Sequence, residues 1–268
     1  MKILIIIIII IFIISIFNSI SYKKIFRIKR VETFTNHMLS NYTNRKNVYC
    51  FWLGNNDMSD NRKKNLDIIR KNIGVDVILV KENDLSKYTN ITGHSLHKSY
   101  QYLSATQKSD YLRCYFLHHF GGGYTDIKRQ EQNWNKLFDK LYNSDKYALG
   151  YKKRKGQVVS WNKKVTDSWV ELIGPASNIF KCNTPLTNEW YNKMNIMLNE
   201  KYESLKENPA KFPQDALGVE YEGKKSKYPI EWAGFNRIFY DTCYKYKDKL
   251  FQDIIIPWDH WGWSANYR

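Results

Sequence analysis

The sequence predicts an α/β fold in which helices lie on the faces of a parallel sheet. Residues 48–54 form a short apolar run that ends at a glycine, which is typical of a buried strand. Residues 61–73 place apolar side chains at helical spacing, Gly74 ends that helix, and residues 75–80 form a second apolar run. A strand, a helix and a strand in direct succession form a βαβ unit, which requires parallel strands.

Later segments continue this pattern. Residues 104–120 are predicted to form a helix that ends at the glycines 121–123, and residues 124–127 follow as a short strand. Ligands of such sheets bind beyond the carboxyl ends of the strands, so we expect a site near Gly54 and Val80. Asp126, an acid at a strand end after a glycine turn, also lies where such a site is expected. Three further elements are predicted, namely a strand over residues 177–181, a helix from Pro185 to about Lys201 with Thr184 as its N-cap, and a segment that begins at Pro213.

Length and composition suit one folded α/β domain with a short appendage. The chain has 268 residues, of which 43% are hydrophobic and 25% are charged, so it can build a large core. Its four cysteines lie far apart without C-x-x-C spacing, which argues against a disulfide scaffold and a structural zinc site. The formal net charge is +16, but no nucleic-acid-binding motif accompanies it. We therefore expect no nucleic-acid partner, although such a surface could attract nucleotide phosphates or anionic headgroups.

The amino end of the chain predicts a membrane anchor. Residues 3–20 are apolar at almost every position, and as a helix they span roughly 27 Å, near the hydrocarbon thickness of a bilayer. We assign residues 1–21 to a transmembrane signal anchor, residues 22–46 to a basic stem and residues 47–268 to the folded domain. A cleaved signal peptide is the alternative, but residues 19–21 make a poor cleavage site.

The sequence therefore predicts a single-pass membrane protein, and two signals disagree about its orientation. Basic residues cluster after the apolar segment, which favours a cytosolic domain. Glycosylation sequons at Asn41 and Asn90 favour the lumen instead. Both orientations stay open.

One continuous stretch carries the candidate chemistry. Residues 108–126 read KSDYLRCYFLHHFGGGYTD, so an acid and an arginine on one helix face precede a glycine turn and a second acid. This order resembles the sugar-nucleotide core of GT-A glycosyltransferases, specifically the families with a D-x-D sugar-binding region and the capsular polysaccharide synthesis proteins. Residues 51–54 also resemble their first strand and loop, and the likeness covers residues 48–128.

The resemblance implies a GT-A (Rossmann-like) domain that binds a nucleotide sugar. It also implies a glycosyltransferase of the hexosyltransferase kind, which moves the sugar to a glycan, lipid-linked or protein acceptor and retains the anomeric configuration. The apolar segment would hold this enzyme at a membrane, where polysaccharide biosynthesis is the expected process.

The same resemblance implies roles for individual residues. Asp110 and Arg113 would contact the donor sugar and ribose through charge-assisted hydrogen bonds. Asp126 would be the first acid of D-x-D, whose acids normally hold Mn²⁺ or Mg²⁺ against the leaving diphosphate. Residues of the first loop and of the glycine turn, where the main chain can approach a ligand closely, would complete the donor site: Trp52, Gly54, Gly122, Gly123 and Tyr124.

Lys128 stands where the second acid of D-x-D is expected. Lys128 could replace the charge of the metal ion, Asp126 could hold a metal with water ligands, or catalysis could have been lost. In the last case the protein would be a non-catalytic carbohydrate or nucleotide-sugar-binding protein. We assign Asp126 and Lys128 as the catalytic residues and keep a metal at Asp126 as the alternative.

Two residues of the carboxyl-terminal part are candidates for the acceptor site or a lid. Asp215 follows Pro213 and could contact the acceptor or the sugar, but it could also be an acid at a helix N-terminus. His260 lies among tryptophans and could close over the diphosphate or stack on a sugar. Its alternative is a terminal segment packed on the core.

Overall fold

The computed structural model of the protein describes residues 43–54 and 56–257. The predicted anchor, nearly all of the predicted stem and His260 lie outside these described residues. Within the described ranges, no helix has both the length and the apolar character that crossing a bilayer requires.

The βαβ unit predicted at the start of the domain is confirmed. Its two strands, β1 (Asn47–Trp52) and β2 (Asp76–Lys81), pair in parallel along their whole length. The helix between them, α1, spans Asp60–Asn72. Ser59 caps this helix, because its side chain accepts a hydrogen bond from the main-chain N–H of Arg62.

The remaining elements complete a central sheet and the helices that cover it. The further strands are β3 (Gly122–Thr125), β4 (Ala148–Lys152), β5 (Ile173–Phe180), β6 (Glu220–Tyr221), β7 (Lys224–Lys225) and β8 (Leu250–Ile254). The further helices are α2 (Leu85–Thr92), α3 (Ala105–His119), α4 (Asn135–Tyr142), α5 (Lys163–Asp167), α6 (Pro185–Glu200), α7 (Tyr202–Glu207) and α8 (Gly234–Lys245).

The strand order of the central sheet is β2-β1-β3-β5-β4-β8. Neighbouring strands run parallel except at β5, which is antiparallel to both β3 and β4. The sheet is therefore mixed, and in this respect the prediction of a parallel sheet was wrong. The carboxyl ends of β1, β3, β4 and β8 meet at one side of the sheet, which we call the carboxyl edge.

Two hydrophobic layers lie on opposite faces of the sheet, because alternate residues of a strand point to opposite sides. Tyr49 and Phe51 pack in a layer that also contains residues of α3, α6 and α8. Val48 and Cys50 pack in a second layer with residues of α1 and α4. Helices thus cover both faces, as the βαβ unit predicts.

The glycine turn leads directly into a strand. The sequence predicts a strand from residue 124, but β3 already begins at Gly122. A Cβ atom on Gly123 would lie 2.9 Å from Cγ2 of Val48 and 3.3 Å from the ring of Phe138. Glycine therefore lets β1 and α4 approach β3 closely. Because glycine usually weakens a strand, the pattern placed the strand start too late.

The elements predicted after residue 170 are partly confirmed. The predicted strand at 177–181 is the second half of β5, which begins earlier, at Ile173. Helix α6 begins at Pro185 as predicted, and the Thr184 hydroxyl accepts a hydrogen bond from the N–H of Thr187 at 3.2 Å. Strands β4 and β8 were not predicted.

Strand β8 is the last strand of the sheet in the described part of the chain, and polar side chains cover it. The amide of Gln132 donates to the carbonyl of Asp253 at 3.0 Å and accepts from the N–H of Ile255 at 2.8 Å. The ammonium of Lys140 lies 4.6 Å from the ring centroid of Phe251, in the middle of the strand. Side chains thus form hydrogen bonds with main-chain groups of this edge strand and cover one of its aromatic rings.

The close approach at Gly123 can be tested by adding one methyl group. Gly123→Ala is expected to destabilise the fold by about 1–3 kcal/mol, because the new methyl overlaps Val48. The same change should cost less in a Val48→Ala background, where the nearest atom is missing. Urea denaturation of the two single variants and the double variant measures this coupling, and strictly additive costs would contradict the packing argument.

Candidate active site

The candidate site is built around the residue that follows β3 at the carboxyl edge. The main-chain N–H of Asp126 donates to the carbonyl of Ala176 at 2.8 Å, so β5 holds the chain to the last residue before the turn. The turn then closes with a bond from the N–H of Lys128 to the carbonyl of Asp126, at 2.7 Å. From α1, Arg62 donates to the carbonyl of Ile127 at 2.7 Å. These bonds fix the main chain that carries both candidate catalytic residues.

Asp126 and Lys128 form an ion pair. The Lys128 ammonium lies 3.2 Å from Oδ2 of Asp126, and their side chains are 15% and 24% exposed, respectively. The site therefore presents a carboxylate and an ammonium side by side in a partly desolvated position. A ligand there meets both charges.

This donor set does not suit a divalent cation. Mn²⁺ and Mg²⁺ prefer several oxygen ligands, whereas the position of the second acid of D-x-D holds the ammonium of Lys128 beside Asp126. In residues 43–54 and 56–257, no cluster of three or more His, Cys, Asp or Glu side chains is arranged to hold a metal ion. The charge arrangement favours an anion next to Lys128 over a cation next to Asp126.

Tyr124 orients the Asp126 carboxylate through a hydrogen bond. Its hydroxyl donates to Oδ1 of Asp126 at 2.8 Å and lies 3.1 Å from the hydroxyl of Ser109 on α3. Tyr124 itself is 3% exposed, and its ring stacks on Phe51 with centroids 5.3 Å apart. The structure therefore gives Tyr124 a positioning contact with Asp126, whereas the sequence predicts a direct contact with the donor.

Asp110 and Arg113 form a buried ion pair one helical turn apart on α3. The side chain of Arg113 is only 7% exposed, and it also donates to the carbonyl of Pro175 on β5 at 2.6 Å. Its guanidinium carbon lies 4.6 Å from the ring centroid of Tyr124. Arg113 thus joins α3 to β5 and β3.

The ionisation of Asp110 depends on these neighbours. Burial raises its pKa to about 6, Arg113 opposes that rise and the carboxylate of Asp126 adds to it. Asp110 and Asp126 are therefore close enough to interact electrostatically. Two carboxylates that face one ligand would suit sugar hydroxyls, which donate hydrogen bonds to them.

Trp52 and Gly54 lie at the carboxyl edge beside this site. In the parallel pairing of β1 with β3, Tyr49 is opposite Tyr124, so the residues after each strand emerge next to each other. The indole N–H of Trp52 donates to the carbonyl of Asn56 at 2.9 Å, and Gly54 has a φ of 108°. The structure therefore brings this predicted loop next to Asp126.

Gly122 and Gly123 are not brought to the site. They open β3 and so lie towards the opposite side of the sheet from Asp126. A Cβ atom on Gly122 would lie 3.1 Å from the carbonyl oxygen of Asn47, the first residue of β1. The predicted donor contact of these glycines is corrected here, because both are buried and serve the packing of β3 against its neighbours.

Asp215 is also buried rather than open to a ligand. It is 1% exposed, and its Oδ2 accepts a hydrogen bond from the main-chain N–H of Lys211 at 2.9 Å. The adjoining carbonyl of Pro213 accepts a bond from the N–H of Thr106 at 3.0 Å, which fastens this loop to the start of α3. These contacts give Asp215 a loop-stabilising place, and its acceptor or lid role stays a prediction. His260 stays a prediction outside the described residues.

The sequence interpretation missed Lys153, which follows β4 at the same edge. Lys153 is 6% exposed, and burial and the nearby ammonium of Lys128 lower its pKa to about 8. The available signal was the basic run at 152–155 directly after an apolar one. That signal could be interpreted only once the pairing of β4 within the sheet was known.

Comparison with known proteins yields a family match and distant structural likenesses, of which one is described here. The profile of the family described as "Capsular polysaccharide synthesis protein" matches residues 18–202, more than half of the chain. A solved structure, "PaToxG Glycosyltransferase", is similar with a TM-score of 0.42 and 14% identity over 81% of this chain and 76% of that one. A likeness this distant adds nothing about the site. No curated protein matches the chain.

The carboxyl group of Asp110 is expected to titrate near pH 6. Because burial favours its neutral form, the folded protein keeps a proton that the unfolded chain releases near pH 4. This group therefore stabilises the fold at low pH, and that contribution is lost as the pH rises to about 6. Carboxyl ¹³C NMR measures the titration. Asp126→Asn should lower the pKa of Asp110, and an unchanged value would contradict their proximity.

Proposed function

The chain belongs to the capsular polysaccharide synthesis protein family, and on that premise we propose that it is a GT-A glycosyltransferase. It transfers a sugar from a nucleotide-sugar donor to a glycan, lipid-linked or protein acceptor. The observation that carries the proposal is the Asp126–Lys128 ion pair at the carboxyl edge, directly after β3. In open α/β sheets this edge is where ligands bind.

The proposed reaction breaks the bond between the anomeric carbon and the diphosphate oxygen and forms a bond from that carbon to a hydroxyl oxygen of the acceptor, whose proton leaves with the nucleoside diphosphate. Negative charge then develops on the diphosphate, and a cation in a desolvated cleft stabilises it. Lys128 supplies this cation, because a lysine ammonium is a compact charge with three donors that suit phosphate oxygens. Without a ligand the ammonium lies beside Asp126, 3.2 Å from Oδ2.

Asp126 and Asp110 hold the sugar in the proposed complex. The Asp126 carboxylate is oriented by the Tyr124 hydroxyl, and Asp110 is held by Arg113. Preorganised acceptors of this kind position the donor without further ordering when it binds. Trp52 and Gly54 flank the same site from β1. Retention of configuration, the identity of the sugar, and membrane attachment through residues 3–20 stay predictions.

The proposal predicts turnover that does not require a divalent metal. Thermal shift with a panel of UDP-, GDP- and CMP-activated sugars first identifies the donor. With that donor, the wild-type protein should keep its turnover in excess EDTA, because Lys128 takes the role of the ion. Complete loss of activity in EDTA with rescue by manganese would contradict the role of Lys128, and donor binding without turnover would identify a binding protein.

Variants of Lys128 distinguish stabilisation of the leaving group by the lysine charge from stabilisation by a metal ion. Removing a group that stabilises the leaving group costs about 2–4 kcal/mol, so Lys128→Ala should slow turnover about a hundredfold. Lys128→Asp restores D-x-D and should make activity depend on added manganese. Lys136→Ala removes an equal charge from an exposed position on α4 and should leave turnover unchanged. Equal turnover of the Lys128→Ala and Lys136→Ala variants would exclude the assigned role.

The positioning role of Tyr124 can be tested by removing one oxygen atom. Tyr124→Phe keeps the ring that packs on Phe51 but loses the bond to Asp126, so kcat/KM for the donor should fall about tenfold. The melting temperature should change little. The matched control is Tyr142→Phe, because its hydroxyl bonds the carbonyl of Arg45, away from the site, at 3.1 Å. Equal effects of the two variants on kcat/KM would argue against positioning.

A further inference from the structure

A cavity opens at the carboxyl edge, between the ends of β4 and β8. Its volume is about 510 Å³, which lies within the range of small-molecule sites. In the strand order, β3 carries Asp126 and β1 lies on one side of it, whereas β4 and β8 lie on the other. The cavity is therefore beside the proposed donor site and across β5 from it.

The lining of this cavity is basic. Lys152, Lys153 and Arg154 contribute cations, and Asp253 is the acid among its described lining residues. The carboxylate of Asp253 is engaged in an ion pair with Lys140 at 2.9 Å, and Lys140 does not line the cavity. The net charge presented to a ligand is positive, which favours an anionic group over a neutral or cationic one.

Lys153 gives this cavity a buried cation that neighbouring side chains hold in place. Its ammonium lies 5.4 Å from the ring centroid of Tyr151 and 5.7 Å from that of Tyr240, and the residue is 6% exposed. Burial of an ammonium costs free energy, and Lys128 adds repulsion, so the pKa of Lys153 is lowered to about 8. An oxyanion in the cavity offsets both effects by stabilising the charged form.

Strand spacing decides between the donor and the acceptor as the source of that anion. Strand β5 separates β3 from β4, so these two strands lie two strand spacings apart, about 10 Å. Asp126 lies beside Ala176 of β5, whereas Lys152 is opposite Ile173, so Lys153 is also displaced from Asp126 along the strands. A diphosphate held at Lys128 belongs to the β3 side. The acceptor must approach the anomeric carbon without displacing the diphosphate. The β4–β8 side is available for that approach.

We propose that the cavity between β4 and β8 is the acceptor subsite and that it binds a carboxylate or phosphate group of an anionic acceptor glycan through Lys153 and Arg154. The assignment of this ligand as the acceptor rests on the proposed function, whereas the recognition of an anionic sugar rests on the cavity itself. The two claims can therefore fail separately.

The test is calorimetric binding of four probes to the full chain. Hyaluronan tetrasaccharide carries carboxylates, glucose 6-phosphate carries a phosphate on a sugar, inorganic phosphate lacks the sugar, and chitotetraose is neutral. We expect either charged sugar to bind at least about tenfold more tightly than chitotetraose, and which of them binds identifies the anion. Binding of chitotetraose as tight as that of both charged sugars would overturn the proposal, and so would binding of inorganic phosphate as tight as that of the tighter charged sugar.

Variants and competition locate the binding. Lys153→Met removes the charge and keeps the length of the side chain. Arg154→Ala changes an exposed residue, so it should leave the core folded. Each variant should bind the charged sugar about tenfold more weakly. Lys155→Met, an exposed lysine of the same loop outside the cavity, should not. The charged sugar should also bind with the nucleotide of the donor at saturation. Competition with that nucleotide would overturn the acceptor assignment, whereas absence of any nucleotide binding would contradict the proposed function alone.

Discussion

The buried guanidinium of Arg113 connects the elements on which the candidate site depends. It pairs with Asp110 on its own helix, donates to Pro175 on β5 and stacks on Tyr124 of β3. A buried charge that loses its partner costs several kcal/mol, so α3, β3 and β5 cannot shift independently without that cost. The orientation of Asp126 through Tyr124 is therefore set by packing inside the domain, before a ligand binds.

Strand β5 has a second consequence for the site. Because it runs against its neighbours, it brings its amino end, where Gly174 and Pro175 lie, to the edge where the other strands end. A Cβ atom on Gly174 would overlap the ring of Tyr151, so a glycine is required where β4 and β5 cross closely. The reversed strand lies between β3, which precedes the Asp126–Lys128 pair, and β4, which precedes Lys153. The two sides of the edge thus differ in charge, mixed on one side and basic on the other.

Local patterns were sufficient to predict the elements whose signals lie within one segment. The βαβ unit and α3 follow from apolar spacing and from the glycines that end their helices, and the start of α6 follows from the capping residue Thr184. Strand β4 was missed because Gly150 interrupts its apolar run, and that glycine is required by Ile173, whose Cβ would lie 2.7 Å from an added Cβ atom. A contact between distant segments leaves no local periodicity.

The candidate site likewise contains residues that local patterns predict and residues that depend on contacts between distant segments. Asp110 with Arg113, and Asp126 with Lys128, are close in the chain, and the sequence places each pair correctly as neighbours. The burial of Asp215 and the arrival of Lys153 at the carboxyl edge depend on which strands pair and on how loops fold back. Gly122 shows the reverse error, because a glycine before an acid suggests a ligand turn but here fills a packing position.

The covering of β8 bears on how the protein behaves at high concentration. An outer strand normally offers main-chain groups to a strand of another molecule, which is a common start of aggregation. Here the amide of Gln132 takes the carbonyl of Asp253 and the N–H of Ile255, and Lys140 lies over Phe251. An approaching chain would have to remove an amide and desolvate an ammonium. Copies crowded together would therefore resist edge-to-edge pairing at this strand.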